Sequence, residues 1–368
     1  SLDWLGGPWA LLGASQWNDR PILALASVGG VWAVSFMLAA VNLAVTVAVG
    51  RQVPRPVRWG AALAACGLVL AALAWWSIRP TPLETGRTAR IALVQPGRID
   101  DVEARFRASE SLSLGLADAY PDLIVWSESS LGRDPAANPA DIARLRLVVA
   151  RTGADVLAGV DSQRQSAGGG IFKSSLLIGP DGPIGSYDKI RLVPFGEYVP
   201  ARPLLGWVGR FTDAATTNRH RGRHLALLHT DSLTIGPLIC FESSFPDLSR
   251  NLARLRADVV VVQSATTTFQ DTWGPQQHAS LAAVRAVESG RPVVQASIAG
   301  VSTAFDPEGH MLAWQPTTWR GAVVVDVPLS RETTLYDRFG AWVPGGSALA
   351  LALAGALALR RRSAGSSA

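Results

Sequence analysis

Three long segments without a charged side chain constrain the fold of this chain more than any other feature of its 368 residues. They run from Pro21 to Gly50, from Gly60 to Ile78 and from Phe339 to Leu359. A helix that crosses a bilayer needs about 20 mainly apolar residues, whereas an apolar stretch in a soluble core is usually shorter. The sequence therefore predicts three transmembrane helices, which account for a positive mean hydropathy of +0.20 with only 17% charged residues.

Arginines beside these segments predict their orientation. Arg51, Arg55 and Arg58 lie between the first two segments, and Arg360 to Arg362 follow the third. Because loops rich in arginine stay in the cytoplasm, the region between the second and third segments is predicted to lie outside it. The predicted parts are an extracytoplasmic segment (1–20), two transmembrane helices joined by a short basic cytoplasmic loop (21–79, with helices at about 21–50 and 59–78), an extracytoplasmic domain (80–337), and a transmembrane helix with a basic cytoplasmic tail (338–368). The absence of an initiator Met suggests a fragment of a longer protein.

The region from 80 to 337 alternates between strand and helix patterns. Its strands, of which Val259 to Gln263 is the most apolar, are predicted to be buried on both faces, with helices such as Val102 to Tyr120 between them. This alternation predicts an α/β fold. The net charge of +5 is modest and no basic patch is interleaved with aromatic residues, so a nucleic-acid partner is not expected.

Cys240 is predicted to be a free thiol with a chemical role. It ends the mostly apolar run Leu233 to Ile239, and the chain's other cysteine, Cys66, lies within the second apolar segment, where the two cannot pair. In an oxidising compartment a structural cysteine is normally paired, so an unpaired one points to reactivity. The alternative is a small buried hydrophobic residue.

Glu128 and Lys189 also lie at or near the ends of apolar strands. A cysteine nucleophile needs a base, because a free thiol is mostly protonated at neutral pH, and a carboxylate in a partly dry pocket can serve. A buried ammonium can stabilise the oxyanion of acyl transfer. The three residues thus form a complete catalytic set without histidine, although Glu128 could instead cap a helix or turn and Lys189 could be a solvated turn residue.

Three strings carry a resemblance to a known family. They are Leu123 to Glu128, Tyr187 to Pro200, and Ile239 to Glu242 followed by Phe245-Pro246. Together they resemble the nitrilase (carbon-nitrogen hydrolase) superfamily, and more narrowly its membrane-bound branch, the bacterial apolipoprotein N-acyltransferases. The resemblance covers essentially the whole chain. It implies a nitrilase-like α-β-β-α four-layer sandwich inserted between transmembrane helices, and further spans ahead of those present here.

The resemblance also implies an activity and its residues. Glu128 matches the general base, Lys189 the transition-state lysine and Cys240 the nucleophile of a ping-pong acyl transfer. The acyl donor is a phospholipid, and the acceptor is the α-amino group of a diacylglyceryl-cysteine at the start of an apolipoprotein. Glu197, Glu242 and Phe241 match supporting positions. No metal or organic cofactor is implied, and the family location is the bacterial inner membrane, with several spans and an extracytoplasmic catalytic domain.

Within the supporting set, Glu197 is expected to orient Lys189, and Glu242 to position either the incoming amine or the cysteine loop. Some strings depart from the family pattern: Ser127 stands where a proline is usual, and the residues at 264–269 and 295–300, both expected to line the pocket, are atypical. Two alternatives therefore stay open. One is a nitrilase-type amidase or other hydrolase, and the other is a catalytically altered binding scaffold.

The histidines are interpreted as non-catalytic. His220 and His224 have the i, i+4 spacing of metal ligands on a helix, but the interior Gly222 and the neighbouring arginines disfavour both a helix and a cation. His278, on the predicted helix 275–289, could approach the pocket, but the surface is the favoured position.

Overall fold

The computed structural model describes residues 8–9, 11–80, 84–164, 170–201, 207 and 219–365. Residues 1–7 of the predicted amino-terminal segment and 366–368 of the predicted tail lie outside the described residues. The helices are α1 (Arg20–Leu23), α2 (Ala26–Val49), α3 (Arg55–Ile78), α4 (Val102–Leu114), α5 (Pro139–Thr152), α6 (Pro246–Arg254), α7 (Gly274–Ser289), α8 (Leu335–Phe339) and α9 (Trp342–Gly365). The strands are β1 (Glu84–Gln95), β2 (Leu123–Val125), β3 (Asp155–Arg164), β4 (Gly170–Gly179), β5 (Gly182–Asp188), β6 (Leu228–His229), β7 (Thr234–Ile239), β8 (Val259–Ser264), β9 (Val293–Ser297), β10 (Ser302–Phe305), β11 (Met311–Gln315) and β12 (Gly321–Ser330).

These strands form two six-stranded sheets with the same plan. The first has the order β12-β1-β2-β3-β4-β5 and the second β11-β10-β9-β8-β7-β6. In each sheet three central strands are parallel, β1-β2-β3 in one and β7-β8-β9 in the other, and the flanking strands are antiparallel. Because the connections between parallel strands are helical, each sheet carries helices on its outer face.

Apolar side chains fill three layers between the elements. The inner faces of the two sheets pack on each other through residues such as Leu93 and Val261. Phe106 of α4 packs on the outer face of the first sheet, and Leu252 of α6 and Ala283 of α7 pack on that of the second. The predicted α-β-β-α four-layer sandwich is therefore confirmed.

Three helices, α2, α3 and α9, are long and apolar enough to cross a membrane, over Ala26–Val49, Arg55–Ile78 and Trp342–Arg360. The third begins at Trp342 rather than at Phe339, because Phe339 ends the short helix α8. The first helix, α2, differs more from its predicted segment, 21–50. Its helical backbone is interrupted at Gly29 and Gly30, which have non-helical backbone angles.

The break in α2 joins the membrane helix to the sandwich. Gly30 has φ of +68°, and a side chain there would meet the Tyr336 ring at 2.7 Å, so only glycine fits. Beyond the break, the backbone N–H of Val31 donates to Glu288 Oε1 of α7 at 2.6 Å. The amino-terminal part of the predicted span, including the buried Leu23, therefore packs against the sandwich.

Two further expectations were wrong in detail. The helix predicted over Val102 to Tyr120 ends at Leu114 and is followed by a short 3-10 turn at Ala117–Ala119. Burial of strands on both faces holds for β8, every residue of which is buried, but not for β5 and β11. Both are edge strands, and neither was predicted, because an edge strand lacks the continuous apolar run that marks a central one.

Candidate active site

Cys240 lies directly after the last residue of β7 and begins a 3-10 helix, Cys240–Ser244. Its φ of +49° is left-handed, a conformation that is uncommon for a residue with a side chain and tends to occur at functional sites. The sharp turn from strand to helix leaves the cysteine half-buried while the strand before it is buried. The thiol is thus presented at the end of the second sheet.

Glu128 lies three residues after β2, at the corresponding end of the first sheet, and is only 6% exposed. The turn that carries it passes so close to Gly159 that a Cβ there would lie 2.3 Å from the Ser127 carbonyl oxygen. Gln263, from the second sheet, donates from Nε2 to Trp126 O at 2.5 Å. This hydrogen bond between the two sheets fixes the turn that carries Glu128.

Lys189 follows β5 and lies between two carboxylates. Its Nζ is 2.8 Å from Glu197 Oε1 and 3.5 Å from Glu128 Oε1, and the side chain is 1% exposed. Burial by itself lowers the pKa of Lys189, but the charges of Glu197 and Glu128 outweigh it, so its pKa lies above the ordinary value. The ammonium is therefore a fixed positive charge within the site.

Cys240 is electrostatically coupled to this cluster. Burial, followed by the charge of Glu128, raises its pKa to about 12, while the charge of Lys189 and a hydrogen bond from the backbone of Ala265 lower it. The sulfur is consequently a protonated thiol at neutral pH. Chemistry at Cys240 then requires a nearby base to take the proton as the sulfur attacks.

Glu197 holds the lysine on one side. Its Oε1 accepts from Lys189, and its Oε2 accepts the backbone N–H of Val193 at 2.8 Å. One carboxylate oxygen of Glu197 thus holds Lys189, and the other holds the loop that carries Glu197. This geometry supports the expectation that Glu197 orients Lys189.

Glu242 is fully buried and fastens the cysteine loop to the lysine loop. Its Oε1 accepts from the Tyr187 hydroxyl and from the backbone N–H groups of Ile190 and Arg191, and its Oε2 accepts from the N–H of Ile239. Of the two roles expected from the sequence, positioning of the cysteine loop agrees with these contacts, because all four donors belong to the protein itself.

Replacing Glu242 with glutamine is expected to lower the free energy of unfolding by about 1–3 kcal/mol, because the new amide N–H₂ cannot accept one of these buried donors. A lower thermal midpoint of the purified protein, together with lower activity, checks this. Glu308→Gln is a matched control: Glu308 makes a partly exposed ion pair with Arg79 at 3.5 Å, so its loss should cost less than about 1 kcal/mol. Equal midpoints for Glu242→Gln and the control would contradict the assigned role.

Phe241 packs in the apolar core on the outer face of the second sheet. It is 7% exposed, and its ring meets the edge of Phe245 at a centroid distance of 5.0 Å. Arg191 lies over the Phe245 ring at 4.2 Å. Phe241 thus supports the cysteine loop by packing.

Two polar residues near the site were missed or misread from the sequence. Gln263 ends a run of valines and was treated only as part of a strand, although its amide connects the two sheets. The expectation that His278 lies on the surface was wrong: it is 1% exposed, and its Nε2 lies 3.1 Å from the carbonyl oxygen of Cys240. Little in the sequence signals this, because every residue from His278 to Ser289 is buried and no face of the helix stands out.

The remaining site expectations have mixed outcomes. Residues 219–224 are not helical, so His220 and His224 lack the helix that their spacing as metal ligands requires. Among the described residues, Asp306, Glu308 and His310 lie close enough to share an ion, but Asp306 accepts the backbone N–H groups of its own turn and Glu308 pairs with Arg79. The atypical string 264–269 does reach the site, through the backbone of Ala265.

Comparisons with known proteins agree with the fold and with the family that the sequence resembles. Residues 90–336 match the family profile described as carbon-nitrogen hydrolase, and residues 1–44 match the apolipoprotein N-acyltransferase N-terminal domain. The apolipoprotein N-acyltransferase of Geobacter metallireducens is 31% identical over 378 residues, covering 97% of this chain and 71% of the relative. That of Azotobacter vinelandii is 31% identical over 385 residues, covering 97% and 70%.

Solved structures share the fold of the sandwich. A carbon-nitrogen hydrolase from Helicobacter pylori superposes with a TM-score of 0.53 at 13% identity, covering 66% of this chain and 89% of its own. A carbon-nitrogen hydrolase superfamily protein from Xanthomonas campestris has a TM-score of 0.52 at 21% identity, covering 65% and 90%. At these identities the likeness concerns the fold alone.

Proposed function

The chain belongs to the apolipoprotein N-acyltransferase family of carbon-nitrogen hydrolases, and we propose that it N-acylates lipoproteins through a thioester on Cys240. The acyl donor is a phospholipid, and the acceptor is the α-amino group of a diacylglyceryl-cysteine. One observation carries the proposal: the buried Lys189 ammonium lies between Glu128 and Glu197 and is coupled to the half-buried thiol of Cys240. These are the groups that acyl transfer needs.

In the first half-reaction the thiol attacks the ester carbonyl carbon of the phospholipid. The raised pKa of Cys240 means that its proton passes to Glu128 as the carbon–sulfur bond forms. The oxyanion that develops is stabilised by the Lys189 ammonium. When the carbon–oxygen bond breaks, Glu128 returns the proton to the leaving alkoxide, so a lysophospholipid departs and the acyl group stays on sulfur.

In the second half-reaction the neutral α-amine of the acceptor attacks the thioester carbonyl. The nitrogen loses a proton to Glu128, the carbon–sulfur bond breaks, and the departing sulfur regains the proton from Glu128. The products are an amide at the amino terminus of the lipoprotein and the free thiol. Because Glu128 carries the proton in both directions, no other titrating group is required.

The membrane helices adjoin the sandwich, which fits two substrates that both reside in the bilayer. Val31 of α2 and Arg79, which follows α3, contact the sandwich. Arg51, Arg55 and Arg58 lie at the opposite ends of these two helices, so we place the sandwich on the extracytoplasmic side. Arg360 lies toward the far end of α9 in the same way. With this orientation the chain is a multi-pass protein of the bacterial inner membrane.

Product analysis separates this proposal from the alternatives. The purified protein is incubated with phospholipid and a synthetic diacylglyceryl-cysteine peptide, and both lipid and peptide products are measured by mass spectrometry. The proposal expects N-acylated peptide and lysophospholipid in equal amounts. Free fatty acid without acylated peptide would instead identify a hydrolase, and the absence of both products, with lipid binding verified, would favour a binding scaffold.

A further inference from the structure

The backbone of Cys240 is held in a conformation that its neighbours must stabilise. A left-handed φ on a residue other than glycine is strained and persists only where surrounding contacts over-determine it. At Cys240 this φ is +49°. The same torsion sets the direction in which the Cα–Cβ bond, and hence the sulfur, leaves the chain. A group that fixes the Cys240 peptide therefore also fixes the nucleophile.

His278 of α7 makes such a contact. Its Nε2 lies 3.1 Å from the carbonyl oxygen of Cys240 and 3.2 Å from Ser243 Oγ, in the 3-10 helix that Cys240 begins. A carbonyl oxygen can only accept, so Nε2 must carry the hydrogen. The ring is held from another side by Trp9, at a centroid distance of 5.6 Å.

The protonation state of His278 agrees with a donor role. Burial lowers its pKa to about 4, so the ring is neutral at physiological pH and carries a single N–H. That hydrogen is directed at the Cys240 carbonyl oxygen, so Nε2 is not available to accept a proton from the thiol. His278 is accordingly placed to orient the nucleophile, and Glu128 keeps the role of base.

We propose that His278 is a positioning residue for acyl-enzyme formation, which holds the left-handed Cys240 backbone through its Nε2–H and so aims the sulfur at the substrate carbonyl. The inference rests on the proposed function, because it requires Cys240 to be the nucleophile. It adds a residue for which the sequence favours a surface position.

The test compares two amide side chains at this position. The Nε2–H₂ group of His278→Gln reaches nearly as far as the imidazole Nε2, whereas the amide of His278→Asn is one carbon shorter. Single-turnover acylation of each variant by phospholipid is followed by intact mass. Misplacing a nucleophile by about 1 Å can lower a reaction rate by on the order of 100-fold. We therefore expect His278→Asn to be acylated about 10- to 100-fold more slowly than wild type. His278→Gln should retain most of the wild-type rate. The KM for phospholipid should be unchanged in both variants.

Two further measurements distinguish positioning from other roles. The pH profile for alkylation of Cys240 by iodoacetamide should keep its midpoint in both variants, because the histidine does not take the proton. His310→Gln is the matched control: His310 pairs with Asp306 at 2.7 Å in the turn between β10 and β11, and its loss should leave acylation unchanged.

Each other outcome has a defined meaning. Equal acylation rates for His278→Asn and wild type would overturn the inference. A slow His278→Gln with a shifted alkylation midpoint would do the same, because it would assign proton transfer to the histidine. If the wild-type protein itself gains no acyl group, the failure lies with the proposed function rather than with His278.

Discussion

Cys240→Ala is expected to remove acyl transfer, with the rate of N-acylated peptide formation falling by at least about 10⁴-fold. The physical reason is that this thiol is the group that carries the acyl chain between donor and acceptor. The thermal midpoint should stay near that of wild type, because the cysteine is half-buried and its removal leaves only a small gap. The measurement is peptide mass analysis at fixed time points, with unfolding followed in parallel.

The chain provides its own control for this variant. Cys66, its other cysteine, is exposed on α3 within a predicted membrane span, so Cys66→Ala removes a thiol of the same kind without touching the site. We expect Cys66→Ala to retain full activity. Wild-type turnover in Cys240→Ala, or a loss shared equally with Cys66→Ala, would contradict a nucleophilic role for Cys240.

Lys189→Met is expected to affect both catalysis and stability. Removing the ammonium deprives the oxyanion of its charged partner, and the loss of one such donor typically costs about 10²- to 10³-fold in kcat. It also leaves Glu128 and Glu197 buried without their shared cation, and removing one member of a buried ion pair costs about 3–5 kcal/mol. Turnover and the thermal midpoint should therefore fall together.

This variant also makes a prediction about the thiol. The charge of Lys189 lowers the pKa of Cys240, so its removal should shift the midpoint of Cys240 alkylation to higher pH. Lys189→Arg, which keeps the charge, should preserve the fold and show little of that shift, although the larger guanidinium should still impair turnover. An alkylation midpoint in Lys189→Met at or below that of wild type would refute the proposed coupling.

Lys173 offers the matched comparison, because it is the only other lysine in the chain. Its Nζ pairs with Asp161 at 2.8 Å, and its side chain is 13% exposed, so Lys173→Met also breaks a partly buried ion pair. It leaves the cluster of Lys189, Glu128 and Glu197 in place. We expect Lys173→Met to lower the thermal midpoint and to leave the pH midpoint of Cys240 alkylation unchanged.

The sequence predicted the main groups of this site because of a general property of parallel sheets. Glu128 and Cys240 each follow an apolar strand, and polar residues at such strand ends come together where the sheets meet. The strings around Glu128, Lys189 and Cys240 also resembled one family closely enough to imply the four-layer sandwich, and the fold and the family were both confirmed.

What the sequence could not provide were contacts between residues far apart in the chain. His278 is 38 residues from the Cys240 carbonyl that it meets, and Gln263 is 137 residues from the Trp126 carbonyl that it holds. Nothing in the local pattern of α7 marks one buried polar residue as different from the others, because the helix is buried along nearly its whole length.

The break in α2 was not predicted for a related reason. An apolar run that contains Gly29 and Gly30 reads as one membrane helix, since glycine is tolerated in such helices. The interruption depends on Glu288, which accepts the N–H of Val31 and lies 257 residues away in sequence. Hydropathy carries no information about a partner so distant.

The most direct test of the account is a chase of the isolated acyl-enzyme. The protein is incubated with phospholipid, freed of it, and shown by intact mass to have gained one hydroxylamine-sensitive acyl group. The diacylglyceryl-cysteine peptide is then added, and the masses of protein and peptide are measured by mass spectrometry over time. The account predicts that the acyl mass leaves the protein at the rate at which it appears on the peptide amino terminus. Release of the same mass as free fatty acid, at a rate independent of the peptide, would contradict it.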